Sequence, residues 1–168
     1  AAMALAEIAS ISERRIYLLL QGLDGLPTVL VNDSGVNSGF MIPQYTAASL
    51  VSHNKVLCHP ASVDSIPSCL GQEDHVSMGS ISAIKLLEVL KNVEQVMAIE
   101  AFTSAQALDF RHPITAGKGV EAAHKEIRKH VSHKEADDFF RQDIDACIEL
   151  LRSNSILSSI ESSIGALQ

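Results

Sequence analysis

Ile81-Ser82-Ala83-Ile84-Lys85-Leu86-Leu87-Glu88-Val89-Leu90-Lys91-Asn92-Val93-Glu94-Gln95-Val96 lies within the longest regular stretch of this chain. Residues 74–109 contain no proline and one glycine, Gly79. Ile81, Ile84, Leu87 and Leu90 recur as an apolar side, and Lys85, Glu88, Asn92 and Gln95 recur as a polar stripe, the pattern of an α-helix. Beyond Val96 the polar stripe thins, so the later turns are expected to be buried nearly all round. A helix over 74–109 would run roughly 50 Å. That length suits a large helical bundle better than a small compact domain.

On the C-terminal side His112-Pro113 breaks the pattern. Helices are expected at 118–131 and 134–152, with Ser132 and Glu135 spaced as a capping box for the second. Residues 153–168 are Ser-rich and weakly helical. On the other side, residues 58–72 carry Pro60, Pro67 and Gly71 and read as a loop of about 15 residues, a length at which loops are often functional. Residues 38–57 read as a helix with Ala47, Ala48, Leu50, Val51 and Leu57 on its buried side. Pro43 fits if the regular helix starts near Ile42, because a first-turn residue needs no backbone donor, or if the helix is kinked. Residues 21–36 form a loop in which Val29-Leu30-Val31 is a candidate short strand without an evident partner. Residues 1–20 form the first helix, with Leu5, Ile8, Ile11, Ile16 and Leu19 at helical spacing and Gly22, Gly25 and Pro27 after it. The pattern begins at once, with no initiator Met and no capping residue, as expected of a piece of a longer protein.

Composition agrees with helices. Hydrophobic residues make up 46% and aromatics 4%, with no Trp. An aliphatic core favours helix-on-helix packing over a β-sandwich. We therefore expect an all-α helical bundle with one very long central helix. The domain reading is one unit over 1–168, in which 1–111 supply the bundle core and the functional loop and 112–168 the C-terminal helices. The net charge of −7 argues against non-specific nucleic-acid binding, which needs a cationic face. Cys58, Cys69 and Cys147 are odd in number and lack a CxxC pair, so reduced thiols in the cytoplasm are expected. No apolar run approaches the roughly 20 residues of a membrane span, and the N-terminus lacks a basic signal-peptide region.

Few residue patterns carry chemistry. His124, His130 and His133 do not share one helical face and read as surface histidines rather than metal ligands. Cys58-His59 points two ways, Cys69 has no activating neighbour in sequence, and no G-x-S-x-G elbow occurs. Gly117-Lys118-Gly119 lacks the rest of a P-loop. Glu73-Asp74 is different, because it follows the long loop and opens the longest helix. The plain reading is a pair of carboxylates stabilising the helix dipole. The functional reading is a loop that carries a carboxylate into a pocket, with the helix end fixing its position.

Several segments resemble one family. His59-Pro60-Ala61-Ser62-Val63-Asp64-Ser65-Ile66-Pro67, followed by Gln72-Glu73-Asp74-His75-Val76-Ser77-Met78-Gly79, is similar to an active-site stretch of the histidine ammonia-lyases. So are Asn37-Ser38-Gly39-Phe40-Met41-Ile42 with Gln44 and Thr46-Ala47-Ala48, Ser12-Glu13-Arg14-Arg15, and Ala105-Gln106-Ala107-Leu108-Asp109-Phe110-Arg111. Ser68-Cys69-Leu70-Gly71 departs from the family's usual Thr-Ser-Ala-Asn, and Pro43 stands where Ala is usual. The resemblance implies the mostly helical aromatic amino-acid lyase fold, a homotetrameric parent, and elimination of ammonia from L-histidine to give urocanate. It implies a methylidene-imidazolone electrophile made from an Ala-Ser-Gly, expected in an upstream part of the parent. Glu73 matches the family's glutamate near the substrate imidazole, where a carboxylate binds a ring N–H or assists proton transfer. Phenylalanine and tyrosine lyases generally have Gln there. Gln72 matches a neighbouring substrate-pocket position. Asp74 and His75 read as structural, orienting the loop and capping the helix. No Ala-Ser-Gly occurs in this chain, and Tyr17 and Tyr45 do not match the family's catalytic tyrosine, so the expectation is a C-terminal segment that is inactive alone. The alternatives are another aromatic amino-acid lyase or aminomutase, and a non-catalytic helical module that works by association.

Overall fold

The computed structural model describes residues 1–77 and 79–167; Met78, inside the motif quoted above, and Gln168 lie outside them. The helices are α1 (Ala2–Leu19), α2 (Met41–Leu57), α3 (Gly79–Asp109), α4 (Lys118–Arg128), α5 (Arg141–Arg152) and α6 (Ser155–Ile164). Short 3-10 turns join some of them, and among the described residues β-structure is limited to two isolated bridges. The fold is all-α, as the composition suggested.

The axis is α3, 31 residues and about 46 Å long. Its C-terminal half is buried as expected, through Val96, Ala98, Ile99, Phe102, Thr103, Ala105, Gln106 and Ala107. Its N-terminal half behaves differently. Val89 and Val93 are buried there, continuing to Val96, whereas Ile81, Ile84, Leu87 and Leu90 are exposed. Steps of three residues lag the 3.6-residue turn by about 60° each, so that series winds round the helix instead of marking one face. The valine face is the one that α1 and α2 cover.

Two apolar clusters share α3. Ala9 and Ile16 of α1 and Ala47 and Val51 of α2 pack with Val89, Val93, Val96 and Ile99. Further along, Phe102, Ala105 and Ala107 pack with Leu30, Phe40, Ile127, Val131, Phe140, Cys147 and Leu150. Phe40, Phe102 and Phe140 meet there with ring centroids 4.7, 5.2 and 5.8 Å apart, each pair worth roughly 0.5–1.5 kcal/mol beyond its buried area.

Pro43 sits in the first turn of α2, which starts at Met41, so its missing donor costs nothing, as expected of a helix starting near Ile42. Other expectations need correcting. Val29-Leu30-Val31 makes no strand; Thr28–Leu30 is a 3-10 turn. The turn is locked by Gly39, whose φ is 52° and whose added Cβ would lie 2.4 Å from the Val29 carbonyl oxygen. The helix expected at 134–152 starts at Arg141, and its N-cap position is Phe140, not Ser132. The Gln106 amide takes both the N–H and the carbonyl of Lys134, which holds that segment out of a helix. The weakly helical tail contains α6, entered through Asn154 in the left-handed region at φ 58°.

The candidate active-site loop and its polar supports

The segment between α2 and α3 carries Gln72 and Glu73. Its base is tied twice. The Lys85 ammonium of α3 donates to the His59 carbonyl. The Ser65 hydroxyl accepts from the Val76 N–H at 3.1 Å and lies 3.5 Å from the Val76 carbonyl oxygen. Inside these ties Ser68 and Glu73 form an antiparallel bridge. The Ser68 N–H donates to the Glu73 carbonyl at 2.9 Å, and the Glu73 N–H to the Ser68 carbonyl at 3.4 Å. The tip turns through left-handed backbone at Cys69, Leu70 and Gly71 (φ 52°, 58° and 83°). Glycine takes that conformation freely, whereas Cys69 and Leu70 each pay on the order of 1 kcal/mol.

Glu73 is held by its side chain as well. The Ser68 hydroxyl donates to Glu73 Oε2 at 2.6 Å, a length typical of a charge-assisted bond. Among the described residues Oε1 accepts no hydrogen bond. A carboxylate fixed through one oxygen and open at the other is a directed acceptor for an N–H group or a cation. The Cys69 thiol lies 3.6 Å from Gln72 Oε1. Residues 72–75 are all exposed.

The helix-dipole reading of Glu73-Asp74 is ruled out. Because α3 starts at Gly79, its first turn holds no acidic residue. Nor do Asp74 and His75 cap it; the Gly79 N–H donates to Ser77 Oγ at 3.3 Å. Glu73 is thus a loop carboxylate, paired within its own turn.

The most connected polar cluster lies at the other end of α3, and sequence reasoning missed it. Asp109 Oδ1 is 2.7 Å from His124 Nε2, and Oδ2 is 2.7 Å from both Arg128 Nη2 and His133 Nδ1. Burial opposes charge on Asp109, but the bonds from Arg128, His133 and His124 outweigh it and hold the carboxyl below its usual range. The reading of three surface histidines survives for His130, 50% exposed, and fails for His124 at 12% and His133 at 28%. The Arg128 guanidinium in this cluster repels a cation, and no metal-binding group occurs among the described residues.

The motifs quoted for the family mostly do structural work. Buried Gln106 donates to the Leu30 and Lys134 carbonyls at 3.1 and 2.8 Å and accepts from the Lys134 N–H at 3.1 Å. The Asp137 carboxylate accepts from the N–H groups of Ser38 and Gly39 at 3.1 and 2.7 Å, and Asn37 Oδ1 accepts from the Asp137 N–H. Buried Glu13 accepts from the Arg14 guanidinium and from Gln44 Nε2 at 2.7 Å. The three thiols are unpaired, and burial pushes Cys147 up to about 12, so it is an inert core thiol.

Comparison with known proteins gives a consistent picture. The sequence model of the family described as aromatic amino acid lyase matches residues 1–129. A histidine ammonia-lyase of Natranaerobius thermophilus is 51% identical over 99% of this chain and 33% of its own length. The crystal structure of a histidine ammonia-lyase from Trypanosoma cruzi superposes with a TM-score of 0.91 at 43% identity, covering 97% of this chain and 32% of that one. A tyrosine aminomutase from Streptomyces globisporus matches with a TM-score of 0.90 at 32% identity, covering 96% of this chain and 31% of that one. The chain spans about a third of the length of the curated relatives it matches.

Proposed function

This chain belongs to the aromatic amino acid lyase family, and on that footing we propose that it is the C-terminal segment of a histidine ammonia-lyase. The parent would convert L-histidine to urocanate and ammonia without a net redox change. Glu73 would receive the imidazole N–H of the substrate, or take up a proton from it, and Gln72 would line the same pocket. The observation that carries this reading is the Glu73 carboxylate, held through Oε2 by Ser68 with its other oxygen open. An amide at that position would suit a ring with no ionisable nitrogen; a carboxylate suits imidazole.

The family's methylidene-imidazolone electrophile does not fit the residues of this chain. Ala9-Ser10, Ala48-Ser49 and Ala61-Ser62 are followed by Ile11, Leu50 and Val63, so no Ala-Ser-Gly is present to form it. The chain's own contribution is to bind and orient the ring, and by itself it is expected to form no urocanate. Exposed Ile81, Ile84, Leu87 and Leu90 support burial of this part of α3 against other parts of a homotetrameric parent. Among the described residues no helix is long and apolar enough to cross a membrane, and three unpaired thiols support a reducing, cytoplasmic setting.

The structural likeness to a tyrosine aminomutase favours a second reading, an aminomutase or lyase acting on another aromatic amino acid. The substrate panel of the full-length protein separates them. Urocanate from L-histidine, with no turnover of L-phenylalanine or L-tyrosine, is the expected result. Preference for either of the latter removes the histidine assignment.

A further inference from the structure

We infer that Ser68 is a positioning residue for Glu73, acting through its hydroxyl rather than through the fold of the loop. This rests on the reading of Glu73 as the substrate-facing carboxylate. Three hydrogen bonds join the two residues. Two are backbone bonds across the bridge, at 2.9 and 3.4 Å, and any residue at 68 with an N–H and a carbonyl would keep them. The third, from Ser68 Oγ to Glu73 Oε2 at 2.6 Å, depends on the hydroxyl.

That third bond has a distinct consequence. Glu73 is exposed in this chain, and among the described residues the bond from Ser68 Oγ is the one that its carboxylate accepts. Without Ser68 Oγ, its carboxylate would sample several orientations and lose entropy when a ligand arrived. With it, one oxygen is committed before binding and the other is presented as the free acceptor. The anchor is itself well placed. Ser68 is extended, at φ −132° and ψ 169°, and the nested Ser65–Val76 tie closes the loop three residues further out. The turn at 69–72 therefore carries no direct bond to the Glu73 side chain; Gln72 is occupied with Cys69.

The extended backbone also supplies the test, because it accepts β-branched residues. Thr keeps a hydroxyl at position 68, and Val has nearly the same shape without one. In the full-length lyase we expect Ser68→Val to lower kcat/KM for L-histidine on the order of tenfold, the scale of one hydrogen bond to a charged group. Ser68→Thr should stay within about twofold of the parent, the scatter of independent changes. When Glu73→Ala is already present, Ser68→Val should add no more than about twofold. Circular dichroism and gel filtration of each variant should match the parent, since both backbone bonds of the bridge are kept.

Equal losses in the Val and Thr variants overturn the inference, as does a full extra loss from Ser68→Val on top of Glu73→Ala. If Glu73→Ala is damaging and Ser68→Val is silent, the inference fails and the reading of Glu73 stands. If Glu73→Ala leaves turnover unchanged, the reading of Glu73 fails and takes this inference with it.

Discussion

Gln106 carries more of the fold than its polarity suggests. A single buried amide bridges the turn at Leu30 and the segment at Lys134, so Gln106→Leu strands a buried N–H and two carbonyls and should cost about 3 kcal/mol, read from urea unfolding of the chain. Gly39→Ala places a Cβ against the Val29 carbonyl at positive φ and should cost about 2 kcal/mol or more; a midpoint equal to the parent's contradicts the locked turn. Asp109 adds a pH dependence. Its carboxyl is held below its usual range in the folded chain, so the stability it contributes is present above the ordinary carboxylate value and lost as pH falls through the lowered one. Asp109→Asn should therefore destabilise at neutral pH by about 2 kcal/mol, reduced from the fully buried case because the site is partly solvated, and should flatten the acid side of the stability profile. These residues sat in stretches that the sequence singled out, yet their partners at 124, 128, 133 and 134 lie on other elements with no periodic relation to them. Only the folded chain brings them together.

Among the elements, α3 was legible because a proline-free run with so many aliphatic residues has little else to become. Its buried face was not. Val89, Val93 and Val96 recur at spacings of four and three and form the packed face, whereas Ile81 to Leu90 recur at three and wind away from it. The start of α3 was misplaced by five residues, because Asp74 and His75 resemble a helix opening but form bends, and the Val76 N–H is taken by Ser65 Oγ. The capping box at Ser132 and Glu135 failed for a comparable reason, a tertiary bond from Gln106 overriding a local pattern. Ile84 and Leu87 are exposed on α3. Leu87→Glu in the full-length protein should weaken assembly, seen as a smaller species by analytical ultracentrifugation, while leaving the helical content unchanged. Unaltered assembly would mean that this face is not buried between chains.

For the molecule as a whole, the resemblance read from five short motifs and the comparison with known lyases agree on family and fold. Most of those motifs turn out to be supports: Glu13, Asn37, Gly39, Gln44, Gln106 and Asp109 tie helices and loops to one another. One of them presents an acceptor to the outside. That division suits a segment about a third the length of its relatives and the proposal that it contributes one side of a site completed elsewhere. The contact proposed between Glu73 and the imidazole of L-histidine is measured by Glu73→Gln in the full-length lyase, with urocanate formation followed by ultraviolet absorbance and assembly checked in parallel. Loss of turnover on the order of a hundredfold, with assembly intact, is the predicted result. Turnover equal to the parent's would contradict it.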